Sequence, residues 1–272
     1  MIIDTHAQLN TREAMQNIPE SLMSGYSEMF SEMNRVGLGA SLKDMDESGV
    51  EKCVIVAIDA ETTFNYRVTN ELIANAVGQF PDRLIGFASV DPHKGQKAAD
   101  DLKGAIDTMG LRGLKIVPNL IELYANDKIL YPLYEIAQSR DVPVLFHTGT
   151  LFYTGVRLKY GQPMPIDDVA IDFPKLKIIM AHFGFPWFYE TIAIAQRNPN
   201  VYFNIAGWKP KYIPKEVVRY LDGPLRHKAL FGSDYPLLTR SEVIRELHDL
   251  KLKDETLECL LTNNAKAVLG LV

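Results

Sequence analysis

Short apolar runs alternate with longer amphipathic stretches along the whole chain. Ile2–His6, Cys53–Ile58, Leu84–Val90, Gly113–Val117, Val142–His147, Lys177–His182, Val201–Ala206 and Ala229–Asp234 are the runs. Their length and their Gly, Pro or Asp boundaries predict strands buried on both faces. Between them, apolar residues recur at helical spacing. This predicts helices over Ala40–Ser48, Tyr66–Phe80, Gly95–Met109, Lys128–Ser139, Ile166–Phe173, Trp187–Arg197 and Pro214–Leu221. Two more, Arg240–Leu250 and Asp254–Leu269, close the chain. A Met-rich stretch between Gln8 and Leu38 has no such regularity. It reads as a lid, as short helices on a rim, or as an oligomer contact.

Eight strands each followed by a helix predict an α/β fold, a single-domain (β/α)8 TIM barrel over residues 1–272. Four of the runs end in a residue that a buried strand does not need. These are His6, His147, His182 and Asp234. The 141 residues from His6 to His147 are four units of about 35, which puts them on strands one and five. His182 and Asp234 then end strands six and eight. In such barrels the carboxyl ends of the strands form the mouth that carries the chemistry.

Composition narrows the picture without changing it. The chain has 272 residues, 47% hydrophobic and 23% charged, with a formal net charge of -5. Charges are dispersed, so no basic stripe points to nucleic acid and no run of apolar residues reaches the length of a membrane span. Cys53 and Cys259 lie far apart and read as free thiols. No leader pattern opens the sequence, so a cytoplasmic protein acting on a small molecule is expected.

Imidazole and carboxylate are the ligands of a catalytic divalent metal that keeps one position open for water. His6, His147 and Asp234 suit that role. His182 is a fourth ligand or an acid–base group beside it, and Asp234 can also take a proton from water. Asp234 has an alternative as a turn cap in Ser233-Asp234-Tyr235-Pro236. Arg157, Tyr153 and Tyr160 after strand five, Trp187 after strand six, Asn204 and Trp208 after strand seven, and Asp59 after strand two are candidate substrate contacts. Arg and aromatic groups at a mouth suit an acidic or planar organic substrate.

The ordered set Ile3-Asp4-Thr5-His6, Gly113-Leu114-Lys115-Ile116, Pro143–Gly149, Ala181-His182-Phe183-Gly184 with Trp187, Gly232–Pro236 and Asn263-Asn264-Ala265 resembles the amidohydrolase superfamily. The likeness is to its amidohydrolase-related branch, which includes aminocarboxymuconate-semialdehyde decarboxylase. It implies one divalent metal, with zinc as the first expectation, held by His6, His147 and Asp234 with His182 close by. One position departs: where the family has His-x-His, this chain has His6-Ala7-Gln8. Gln8 offers a neutral amide oxygen, a weaker ligand than imidazole. Lys115 stands where binuclear relatives carry a modified lysine, but the branch with Gly-x-Lys at this place is typically mononuclear, so an ion pair inside the barrel is expected rather than the modification. The resemblance implies hydrolysis of a C–N or C–O bond of a small organic acid, catalysed by Asp234 and His182, as the first reading. Non-oxidative decarboxylation is the second, and a metal-free binding protein the third.

Overall fold

The computed structural model describes residues 1–16, 18, 19, 22 and 37–271. Most of the Met-rich stretch, expected as a lid, rim helices or an oligomer contact, lies outside the described residues; its described part holds one short helix, Arg12–Gln16, whose Ala14 and Met15 line the barrel mouth. Among the described residues there are ten strands: β1 (Ile2–Gln8), β2 (Val50–Val56), β3 (Ile58–Ala60), β4 (Tyr66–Val68), β5 (Leu84–Phe87), β6 (Leu114–Ile116), β7 (Val144–Phe146), β8 (Ile178–Met180), β9 (Val201–Asn204) and β10 (Ala229–Leu230). Eight of them build the barrel. β1, β2 and β5 pair in parallel, as do β6 through β10 in sequence order. A bridge from Ala88 to Leu114 joins β5 to β6. The ring closes where Thr5 N donates to Phe231 O at 3.0 Å and Ala7 bridges Tyr235. The expected (β/α)8 barrel is therefore the fold.

Among the described residues, the longer helices that cover it are α1 (Leu38–Ser48), α2 (Asn70–Gln79), α3 (Gln96–Asp107), α4 (Tyr131–Ser139), α5 (Pro165–Asp172), α6 (Phe188–Arg197), α7 (Lys215–Leu221) and α8 (Arg240–Asp249). Local chemistry sets several ends. Thr69 and Thr239 accept hydrogen bonds from Leu72 N and Glu242 N, so α2 and α8 begin there. Gly49, at φ 71°, ends α1. The two faces of the strands bury different sets. Val144 and Phe146 pack in the layer beneath the helices. Leu145 instead belongs to an inner cluster with Ile3, Val54, Val56, Phe87, Ile179 and Leu230. Among the described residues no helix is long and apolar enough to cross a membrane.

Two expectations are corrected. Tyr66–Val68 does not start a helix but pairs antiparallel with Ile58–Ala60. Tyr66 and Val68 are buried while Arg67 between them reaches Asp59, a period of two rather than 3.6. Ile58 accordingly opens this hairpin instead of ending the second barrel strand. The closing helix is also interrupted, with a π-turn at Cys259–Asn263 between Asp254–Glu258 and Asn264–Leu269.

Candidate active site

His6 and Gln8 are two apart on β1 and so share a face. His147 follows β7 directly; Phe146 faces the helices, so His147 faces the mouth. His182 and Asp234 sit just beyond β8 and β10, in turns whose backbone is left-handed: φ is 60° at His182, 57° at Phe183 and 57° at Asp234. Such a conformation is unfavourable for residues with a Cβ, and it recurs where a fold aims side chains at a site. Gly207, at φ 74°, makes room for it. A Cβ there would lie 3.2 Å from both Asp234 Oδ2 and His182 Nδ1.

These turns bring the four expected residues together. The His182 ring centre is 4.9 Å from that of His6 and 4.5 Å from that of His147. Asp234 lies between two imidazoles, with Oδ1 4.0 Å from His6 Nε2 and Oδ2 4.0 Å from His182 Nδ1. Gln8 joins them by donating from Nε2 to Asp234 Oδ1 at 2.9 Å. An amide turned the other way would set oxygen against carboxylate, so the NH2 group faces Asp234.

Backbone carbonyls fix two tautomers. His182 Nδ1 donates to Ala206 O at 2.9 Å, and His147 Nε2 to Thr150 O at 3.1 Å. The other nitrogen of each ring keeps its lone pair. His6 Nδ1 is buried with no hydrogen-bond partner. Burial holds all three imidazoles below their ordinary titration range. Lys115 and neighbouring histidines add to this at His6 and His147, whereas Asp234 opposes it at His182. Lys115, on β6, brings Nζ within 3.4 Å of His6 Nε2. Burial lowers its amine to about 7, although Asp234 pulls the other way.

These residues form the polar floor of a pocket of about 1090 Å³, open mouth included. Leu9, Tyr66, Leu120, Phe152, Tyr153 and Trp208 contribute to its walls. Of the expected substrate contacts, Tyr153 and Trp208 line the pocket and others do not. The Arg157 side chain is 64% exposed and pairs with Glu122. Trp187 is partly buried at the start of α6, away from the lining. Asn204 is fully buried behind His182, where Oδ1 accepts from His182 N and Ala206 N. It positions His182 rather than touching a substrate. Tyr160 packs on Tyr124, and Asp59 pairs with Lys94 and Arg67.

A supporting network was missed. Asp4 accepts from Arg240 Nε at 2.8 Å, Ser233 Oγ at 2.6 Å, Ser233 N at 3.0 Å and His6 N at 3.2 Å. It thus fastens the residues next to Asp234 to the strand that carries His6. Its signal was the one acidic residue inside the first apolar run. Cys53 touches this network, and burial together with Asp4 pushes its thiol up to about 12, which makes it a poor nucleophile.

Imidazole and carboxylate are metal-type donors. As arranged they do not close a coordination shell: among the described residues, no three or more His, Cys, Asp or Glu side chains are grouped to hold a metal ion. Gln8 presents its NH2 group, not its oxygen, to Asp234. Lys115 places an amine against His6 Nε2. The expected shell of His6, Gln8, His147, His182 and Asp234 is therefore one pocket floor with the right chemistry but without a fit for the ion.

The chain is 24% identical over 237 residues to the 2-amino-3-carboxymuconate-6-semialdehyde decarboxylase of Dictyostelium discoideum, an alignment covering 74% of this chain and 65% of that protein. It thus spans under two thirds of that relative's length. Among solved structures, a TIM-barrel protein of Bordetella bronchiseptica superposes with a TM-score of 0.82 at 23% identity, over 99% of this chain and 98% of that one. A 5-carboxyvanillate decarboxylase of Novosphingobium aromaticivorans, solved with manganese and 3-methoxy-4-hydroxy-5-nitrobenzoic acid, gives 0.76 at 16% identity, over 100% and 97%. These two likenesses are likenesses of fold. The amidohydrolase family model matches residues 3–271, nearly the whole barrel with every residue of the pocket floor, and the chain belongs to that family.

Proposed function

We propose that this pocket removes CO2 from a small, planar carboxylic acid, as a non-oxidative carboxy-lyase. One observation carries the reading. Asp234 lies between His6 and His182, 4.0 Å from each, at the floor of a pocket walled by apolar and aromatic side chains. Asp234, having taken a proton from water at the open mouth of the pocket, passes it to the carbon that bears the carboxylate, with His182 beside it. The bond from that carbon to the carboxyl carbon then breaks. CO2 leaves, and the electron pair stays with the carbon that has just gained the proton. Walls such as Phe152, Tyr153 and Trp208 suit a planar ring and keep water from the carboxylate.

Two relatives whose names say decarboxylase support this order, which places decarboxylation ahead of hydrolysis. Hydrolysis of a C–N or C–O bond is the second reading. It rests on the same Asp234 acting as base toward water. No step here runs through a metal, because the floor as arranged does not fit one.

The test is a panel of hydroxybenzoates and muconate-type acids, assayed for CO2 release with a chelator and again with added manganese or zinc. A set of lactones and amides is run in parallel. Release of CO2 matched by the decarboxylated product is expected. Cleavage of the lactones or amides without CO2 would replace this reading with the hydrolytic one. No turnover of either set under any condition would leave a binding protein.

A further inference from the structure

We propose that Lys115 is the anion-binding group of this pocket, and that its Nζ receives a ligand's carboxylate directly, with no metal between them. This deepens the carboxy-lyase reading and rests on it for the class of ligand.

The geometry makes the case. Lys115 is 2% exposed, yet it lines the pocket. Its neighbours Leu114 and Ile116 pack toward the helices, so alternation sends the Lys115 side chain to the barrel interior. Among the described residues it forms no ion pair within 4.0 Å, and its one hydrogen-bond partner is the uncharged His6 ring. A buried amine without a carboxylate partner is costly and is a poor choice for structural support alone. Among the described residues, several other cations near the barrel mouth are paired with carboxylates: Lys94 with Asp59 and Glu61, Arg67 with Asp59 and Glu61, Arg157 with Glu122. Among the described residues that line this pocket, Lys115 is the one lysine or arginine.

The surroundings agree. Asp234 would repel a second carboxylate, but its Oδ1 already accepts from Gln8, which softens that repulsion. His6 Nε2 faces Nζ, and an amine that donates to it occupies the lone pair that a metal there would need. An amine at this place and a metal at this place are alternatives. The departure at Gln8 and the presence of Lys115 then have one explanation: the floor binds anions through its own ammonium.

Benzoate is the probe, titrated calorimetrically into chelator-treated wild type, Lys115→Met and Lys115→Arg, each checked for native near-UV circular dichroism. Wild type is expected to bind without metal. Lys115→Met should weaken binding at least tenfold and Lys115→Arg less, since a charged hydrogen bond is lost in the first and kept in some form in the second. Zinc competition against a chromogenic chelator is the second arm. Lys115→Met should bind zinc more tightly than wild type, because the competing cation is gone. Benzoate binding by wild type only after zinc or manganese is added would overturn the proposal, and this arm needs no variant. Equal benzoate affinity in wild type and Lys115→Met would overturn it as well. Metal-free benzoate binding without CO2 release from any acid would sink the reaction and leave this site standing. CO2 release undiminished in Lys115→Met would do the reverse.

Discussion

Arg240→Met is the most demanding test of how the site is held. Arg240 is fully buried, and all three of its guanidinium nitrogens are engaged. Nε donates to Asp4 Oδ2 at 2.8 Å and Nη1 to Asp44 Oδ1 at 2.9 Å. Nη1 also reaches Ser41 O at 3.3 Å, while Nη2 reaches Ser41 Oγ at 3.3 Å and Cys53 Sγ at 3.2 Å. Met fills much of the same volume and keeps the apolar stem, so the change isolates the charge. It strands Asp4, fully buried, and Asp44, 8% exposed. Removing one partner of a buried pair costs about 3–5 kcal/mol, far more than the net worth of the pair. Total stabilities of about 5–15 kcal/mol make that a large fraction. Arg240→Lys keeps the charge but cannot span Asp4 and Asp44 at once, and about half the loss is expected. Urea unfolding followed by tryptophan fluorescence measures both, with unchanged slope as the sign that the comparison is fair. A loss below about 1 kcal/mol in Arg240→Met would refute the reasoning, because the two carboxylates would then have found water or other partners.

Four further outcomes follow from the geometry. The native Lys115 amine titrates near 7 against an ordinary 10.5, so between those values the unfolded chain holds a proton that the native chain has released. Stability should therefore rise with pH across that window, by up to about 1.4 kcal/mol per pH unit, and the rise should vanish in Lys115→Met. The three histidines have the same sign at lower pH: the unfolded chain takes protons below 6.5 that the native floor refuses. Wild type should lose melting temperature as pH falls below 6.5. Gly207→Ala puts a Cβ 3.2 Å from Asp234 Oδ2 and His182 Nδ1 at a left-handed backbone position. It should cost about 1 kcal/mol in unfolding experiments and lower CO2 release at least tenfold. Asp234→Asn keeps shape but takes no proton, so CO2 release should disappear while the melting curve stays within a few degrees of wild type.

The barrel and the four converging residues were legible because both depend on strand ends. A buried strand wants apolar residues throughout, so a terminal His or Asp stands out, and strand order fixes that all such ends meet at one mouth. Side-chain direction in irregular loops is not written in that way. Arg157, Trp187 and Asn204 were placed by proximity in sequence, and each turned elsewhere: to Glu122, to the start of α6 and to the back of His182. The β3–β4 hairpin escaped because three-residue strands carry too few positions to separate a period of two from one of 3.6. Lys115 was visible but its meaning was not. Alternation with Leu114 and Ile116 sends it inward, while the absence of a carboxylate partner among the described residues is a fact of three dimensions.

The barrel closes at its own active site. Asp4 and Gln8 come from β1, Ser233 and Asp234 from the turn after β10, and Arg240 from α8, so the contacts that hold the floor span 226 to 236 residues. A chain emerging from the ribosome cannot make them until Ser233 and Arg240 have been synthesised. Before that, β1 has one neighbour where the finished ring gives it two. Catalytic competence is therefore a late event in the life of each molecule, and fragments lacking α8 should fold locally without assembling a working floor. Linking the helix Asn264–Leu269 to β1 and opening the ring between α4 and β7 would turn these remote contacts into near ones. Such a permutant should gain its site earlier during synthesis with the same set of residues.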